Sequence, residues 1–190
     1  MTKQGPDHLC GPCITTPPPF RRARAWALYQ YGEAELQPLS AAIQKFKYHR
    51  ELSIGKTLAL LTATAYPFSQ EQYDLIIPLP LHLERLRWRG FNQALLLARA
   101  VGKVHGVVSN PFLLERSRPT VPQTQLTDKD RHTNVKGAFT VATPDQVKEK
   151  QILLVDDVYT SGATVCECAA TLISAGAKVV DVFTLARAVS

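Results

Sequence analysis

The residues best suited to do chemistry stand together in ILLVDDVYTSGAT, residues 152–164. Two adjacent carboxylates, Asp156 and Asp157, follow a run of four apolar residues. An apolar–aromatic pair comes next, then a turn of small residues, Thr160, Ser161, Gly162, Ala163 and Thr164. Gln151–Val155 has the length and composition of a buried strand, Val165–Ala175 that of a helix closed by Gly176, and Lys178–Leu185 that of a second buried strand. Such a strand–helix–strand unit builds a parallel sheet with a right-handed crossover, and ligands of open α/β sheets bind at the carboxyl ends of strands. A helix start behind a Ser/Thr/Gly turn presents unpaired backbone N–H groups that suit a phosphate. Gly162 lets the backbone come close to that anion, and Thr160, Ser161 and Thr164 add hydroxyl donors. The acid pair would repel the same phosphate, so its task differs: it accepts hydrogen bonds from sugar hydroxyls, directly or through Mg²⁺-bound water.

A ligand with a terminal phosphate, a diol and a metal-bound pyrophosphate would satisfy all of these groups, and 5-phosphoribosyl 1-pyrophosphate (PRPP) is such a ligand. The segment resembles the PRPP motif of type I phosphoribosyltransferases: four apolar residues, two acids, an apolar pair, then Thr/Ser-x-Gly-x-Thr. Over Cys10 to Arg187 the chain is similar to the ComF/GntX family of competence-related, phosphoribosyltransferase-like proteins. The resemblance runs through CGPC, PPPFRRARA, IQKFKYHR, IIPLPLHLERLRWRGFNQALLLARA, NVKGAF, ILLVDDVYTSGAT and VDVFTLAR. It implies the type I phosphoribosyltransferase fold, a mostly parallel twisted sheet flanked by helices. It also implies Mg²⁺-dependent displacement of pyrophosphate at ribose C1, in nucleotide salvage or competence-linked DNA use, toward an acceptor the sequence does not name.

In that reading Asp156 and Asp157 hold the diol and the metal, and residues 160–164 the 5-phosphate. Leu81–Arg89 becomes the pyrophosphate loop, with Arg85, Arg87 and Arg89 stabilising the departing charge. Residues 117–136 match the flexible loop, with Arg116, Arg131 and Asn134 as polar candidates. Read from composition alone, the three arginines supply fixed positive charge or form a solvated basic edge. The family's link to DNA uptake implies a second reading, a non-catalytic factor handling single-stranded DNA with PRPP as regulator.

Two departures from the resemblance matter. The family begins with two CxxC pairs forming a zinc ribbon, whereas one pair, Cys10 and Cys13, precedes PPPF here. That pair supplies two of the four thiolates a closed zinc site needs. Zn²⁺ would therefore require ligands encoded upstream of Met1 or a second chain, or the site is lost. Purine-salvage relatives carry Asp where this chain has Thr160, which argues against a purine acceptor. With five residues after Leu185, the acceptor pocket is expected from the N-terminal third.

The elements that must position these groups follow from the rest of the pattern. Leu36, Leu39, Ile43, Phe46, Leu58 and Leu61 recur at helical spacing, so about 36–66 reads as helical. Asp74–Pro80 reads as a strand, LHLERLRWRG as a basic loop, and QALLLARAVGKVHG as a helix with Asn92 as N-cap and Gly102 or Gly106 at its end. Phe112–Arg116 and Gly137–Val141 read as short strands, and Ser117–Lys136 as a long polar loop of the functional kind. One α/β domain, 21–190, with a Cys/Pro-rich appendage, 1–20, accounts for the 190 residues.

Several function classes are excluded. No stretch approaches the roughly 18 apolar residues of a membrane helix, and MTKQGPDHLC lacks the apolar core of a signal peptide, so a cytoplasmic protein is expected. Four cysteines make no secreted disulfide framework, because Cys166 and Cys168 sit two apart on a predicted helix. Gly55-Lys56-Thr57 superficially matches a phosphate loop, but Arg50 stands where that motif needs its first glycine. The net charge of +6 divides unevenly, with residues 151–190 carrying two basic and four acidic side chains. The basic remainder suits an anionic ligand.

Overall fold

The structure, a computed structural model, describes residues 14–30, 38–48, 51–68, 72–120 and 128–189. Its strands are β1 (Arg22–Gln30), β2 (Leu75–Pro78), β3 (Leu114–Arg116), β4 (Phe139–Val141), β5 (Gln151–Tyr159) and β6 (Val179–Val189). Its helices are α1 (Pro38–Tyr48), α2 (Leu52–Thr64), α3 (Leu83–Arg89), α4 (Gln93–His105), α5 (Asp128–Val135) and α6 (Ala163–Ser174). Four strands form one sheet in the order β1-β6-β5-β2, every neighbouring pair parallel, and β3 and β4 make a separate antiparallel ribbon. The expected α/β architecture, a parallel sheet flanked by helices, is the one observed.

The sheet is apolar on both faces because both are covered. Along β5, Ile152 and Leu154 pack into a core with Val165, Cys168 and Leu172 of α6 and with Leu114 and Phe139 of the β3–β4 ribbon. Leu153 and Val155 face the opposite core, with Ile43 and Phe46 of α1, Leu58 and Ala59 of α2, and Leu97 and Val101 of α4. Burial on both sides is why these strands read as continuous apolar runs rather than alternating ones. Gly55 allows α1 and α2 to meet closely, since a Cβ there would collide with the Phe46 ring. It lies inside α2, so GKT is helical surface and no phosphate loop.

The structure differs from the sequence reading in several elements. The basic stretch expected as a loop is the helix α3, entered at His82, whose Nδ1 accepts the Glu84 N–H at 3.4 Å, and closed by Gly90 at φ 85°. Its leucines, Glu, Trp and arginines all tolerate a helix, so nothing in the residue types forbids one. The polar stretch 117–136 contains α5, whose one apolar side chain, Val135, is buried. A single apolar residue gives no periodicity to read. Residues 121–127 of that stretch lie outside the described residues, as does the Cys10–Cys13 pair.

β1 was not foreseen, because alternating Arg and Ala has a strand's period but little strand propensity. It pairs along β6, with Ala23 opposite Val182. The helical region 36–66 is two helices, α1 and α2. Phe20, assigned by sequence to the appendage, packs into the α6-side core. Among the described residues no helix is long and apolar enough to cross a membrane.

Candidate functional site

β2 stops at Pro78, opposite Val155, while β5 runs on to Tyr159. Asp156 and Asp157 therefore lie beyond the end of their neighbour, at the carboxyl edge of the sheet. Their carboxylates accept backbone N–H groups there, Asp156 Oδ1 from Asp157 at 2.8 Å and Asp157 Oδ1 from Val158 at 2.7 Å. Successive strand residues point to opposite faces, and this separates the pair. Asp157 meets α1, where Lys47 Nζ stands 3.0 Å from its Oδ2. Asp156 lies on the α6 side, where its charge is felt by Arg116 and Cys168. Burial, then the charge of Asp157, pushes the Asp156 carboxyl up to about 8. Burial pulls the Lys47 ammonium down, but Asp157 and Asp156 more than offset it and leave it above the ordinary lysine value.

Beyond Tyr159 the chain turns at Thr160–Gly162 and enters α6 at Ala163. Gly162 has φ 79°, and a Cβ there would run into the Tyr159 hydroxyl, so both conformation and space require glycine. The Ala163 N–H donates to Ser161 Oγ at 3.4 Å. This is the strand–turn–helix arrangement that offers N–H groups to a phosphate.

A cavity of about 660 Å³ opens over these groups. Among the described residues its wall carries five cationic side chains, Lys47, Arg85, Arg89, Arg116 and Arg131, against three carboxylates, Glu84, Asp156 and Asp157. Arg85 and Arg89 are one helical turn apart on α3 and share a face. Arg87, grouped with them in the sequence reading, is exposed and does not line the cavity. Arg89 is 9% exposed and lies over the Tyr48 ring, 5.8 Å from its centroid. Arg116 bonds Thr120 and lies over Phe139. Burial lowers both guanidinium groups from their ordinary value, with Arg85 adding to the effect in each; arginine stays charged regardless.

Three donors on this wall are buried with no hydrogen-bond partner: Arg89 Nε, Arg116 Nε and Gln93 Nε2. A buried unpaired donor costs about 1–3 kcal/mol. All three belong to residues that line the cavity, where an acceptor-rich ligand would complete them. Asn92, expected only as an N-cap, makes no side-chain cap and instead donates from Nδ2 to the Leu79 carbonyl at 2.9 Å. That bond ties the start of α4 to the end of β2 and sets Gln93 against the cavity.

Of the sequence candidates, the cavity brings together Asp156, Asp157, Thr160, Thr164, Arg85, Arg89, Arg116 and Arg131. Ser161, Gly162 and Ala163 form the turn behind it without lining it. Asn134 does not line it either; its carbonyl, with that of Lys136, accepts from Arg118 Nη2 at 3.0 and 2.7 Å. Sequence reasoning missed Lys47, Tyr48 and Gln93. Lys47 and Tyr48 stand in the quoted IQKFKYHR block, and Gln93 was read as helix.

The donor set fits Mg²⁺ of the substrate-bridged kind. That ion takes one or two protein carboxylates and fills its shell with water and phosphate oxygens. Asp157 supplies one, and Asp156 would supply a second once a bound cation replaces the proton that burial holds on it; among the described residues no group of three or more His, Cys, Asp or Glu forms a dedicated cage.

No protein-family model matches the chain. It is 32% identical to Competence protein F of Haemophilus influenzae over 185 residues, covering 94% of this chain and 78% of that protein. The chain belongs to the ComF family. Its identity to DNA utilization protein YhgH of Escherichia coli K12 is 33% over 187 residues, 95% of this chain and 79% of the relative. Among solved structures it is similar to the glutamine PRPP amidotransferase from B. subtilis in complex with ADP and GMP. There the TM-score is 0.45 and the identity 20%, over 69% of this chain and 26% of that one.

Proposed function

We propose that this ComF-family chain binds PRPP with Mg²⁺ and acts as a phosphoribosyltransferase, in nucleotide salvage or in competence-linked DNA use. The observation that carries the proposal is the set of unpaired buried donors, Arg89 Nε, Arg116 Nε and Gln93 Nε2, around a cavity floored by an acid pair. A pyrophosphate presents enough acceptor oxygens for all three. The turn at Thr160–Thr164 takes the 5-phosphate on its N–H and hydroxyl groups, and Asp156 and Asp157 accept the ribose hydroxyls. In the reaction the C1–oxygen bond breaks, its electron pair leaves with pyrophosphate, and the acceptor's lone pair forms the new bond at C1. Arg85, Arg89 and Arg116 stabilise the charge developing on the leaving group, where preorganised donors act most strongly. When bound, Mg²⁺ neutralises pyrophosphate oxygens and makes that group leave more readily.

Lys47 has a defined part in this scheme. With no ligand it neutralises Asp157 across 3.0 Å. Ribose hydroxyls would then compete with it for that carboxylate, and the freed ammonium would face the phosphates. Calorimetry of Mg²⁺–PRPP binding tests the assignment: Asp156→Ala with Asp157→Ala abolishes the heat, and unchanged affinity refutes it. Phosphorus NMR of PRPP with candidate acceptors then identifies the one that drives pyrophosphate release.

The relatives' names, competence and DNA utilization, favour a second reading in which the chain handles single-stranded DNA and PRPP regulates it. Exposed Arg87 and Trp88 on α3 are its contacts. Strand binding that weakens steeply with salt supports it, and no binding at low salt refutes it.

A further inference from the structure

Among the residues lining the cavity are two aromatic side chains that the PRPP scheme leaves without a task. Tyr48 closes α1 and Trp88 lies near the end of α3. Their ring centroids are 6.5 Å apart at 63°, and both line the cavity. Tyr48 is 55% exposed and Trp88 58%. A tryptophan and a tyrosine held together yet more than half in water contribute little to the core, where aromatic rings normally deliver their burial energy. Their position is fixed from both sides. Lys47, the residue before Tyr48, reaches Asp157, and Arg89, the residue after Trp88, packs over the Tyr48 ring. The pair is thus anchored next to the acid pair, with cationic side chains around it.

The chemistry of such a place selects its occupant. The surrounding wall, five cations against three carboxylates, favours an anion, and aromatic rings more than half exposed favour a flat, delocalised partner. An aliphatic or peptide ligand would use the rings but not the charge; inorganic phosphate would use the charge but not the rings. A nucleotide uses both. We infer that Tyr48 and Trp88 form a stacking platform for a nucleobase, on the acceptor side of ribose C1. This deepens the PRPP reading and rests on it for the position of the ribose. The base is that of a free nucleotide or of a single-stranded polynucleotide, since stacking on aromatic side chains serves both.

The experiment uses the full chain and pairs of probes that differ only in the base. Uridine 5′-monophosphate is compared with ribose 5-phosphate, and a thymidine decamer with an abasic decamer. In each pair the expected result is tighter binding of the member with the base, by a ratio that falls between about 5-fold and about 150-fold in Tyr48→Ala and Trp88→Ala. Trp88→Phe restores part of it. In Trp26→Phe, which leaves Trp88 as the remaining tryptophan of the two, the base-bearing probes quench fluorescence and the base-free ones do not.

A base effect with the mononucleotide assigns the platform to a small acceptor, and one with the decamer alone assigns it to a strand. The inference is overturned if base and base-free probes bind equally to the wild type, or if both alanine variants keep the wild-type ratio. Binding of PRPP is measured in parallel. If it is absent while the base ratio depends on Tyr48 and Trp88, the PRPP reading falls and the platform stands. If PRPP binds while the ratio ignores both residues, the platform falls and the PRPP reading stands.

Discussion

Replacing Gln93 by methionine should make the protein more stable and worse at binding. Gln93 is 2% exposed, and its Nε2 has no partner. Methionine has nearly the same length and shape and removes the unpaired donor, whose burial costs about 1–3 kcal/mol. It also removes the amide oxygen, worth up to about 1 kcal/mol if that oxygen is bonded. The net is a gain of about 1 kcal/mol, or roughly 2–4 °C in Tm for a chain of this size. Toward PRPP the same change deletes a hydrogen bond to a charged group, worth about 1.5–3 kcal/mol, or roughly 10- to 150-fold in Kd.

Calorimetric scans with and without Mg²⁺–PRPP read both effects at once. At a ligand concentration 100 times the wild-type Kd, binding stabilises the wild type by about 2.7 kcal/mol, and a variant weakened fiftyfold by about 0.6 kcal/mol. The thermograms should therefore cross: Gln93→Met melts higher alone, and the wild type melts higher with ligand. A variant that loses stability in the absence of ligand, or that binds PRPP as tightly as the wild type, refutes the reasoning. In that case the amide belongs to the core and not to the site.

Other residues give sharper tests of single terms. Gly162→Ala should cost about 1–2 kcal/mol, the penalty of the left-handed backbone, with Tyr159→Phe in the same chain relieving part of the collision in thermal unfolding. The folded state holds a proton on Asp156 up to about pH 8, whereas the unfolded chain gives it up near its ordinary value of 3.8. Stability from this residue therefore falls as pH rises through that window, and Asp156→Asn should gain on the wild type from pH 4 to pH 8 in urea titrations. Asp181, with no exposure, has the reverse sign. Burial would push its carboxyl up, but bonds from Arg21, Tyr73 and Arg22 hold it below the ordinary range. Asp181→Asn should cost about 1.5–3 kcal/mol at neutral pH, because it removes the charge that the partly exposed Arg21 and Arg22 bond, and the deficit should vanish as pH falls through the folded-state value. Lys47→Met should weaken PRPP binding and destabilise the chain more at pH 8 than at pH 5, because Asp157 then loses its cation beside Asp156.

The division between what the sequence discloses and what it hides has a physical cause. The end of the cavity proposed to hold a phosphate is one continuous strand–turn–helix segment, and its requirements are local. Gly162 must reach a positive φ, the turn must be small, and the acids must follow the apolar part of the strand, so composition and order suffice to recognise it. The opposite wall is assembled from α1, α3, the start of α4, β3 and α5, and nothing in the order of residues says that Lys47 will meet Asp157 across 109 intervening positions. Where local order misleads, it does so because helix geometry was not available to it. Three arginines at every second position look equivalent, yet on the helix α3 Arg85 and Arg89 face the cavity while Arg87 faces away.

The unpaired donors are the least legible of all, because being unpaired is a property of burial. Gln93 in QALLLARAV is an unremarked helical residue until the chain folds and leaves its Nε2 with nothing to bond. Folding should discard such a residue unless something compensates for it. The same reasoning makes the compensation measurable: the free energy Gln93, Arg89 and Arg116 withhold from the unliganded fold is available to a ligand that completes them. A chain whose stability rises when these donors are removed one at a time, while its grip on a pyrophosphate falls each time, has its binding energy stored in that wall.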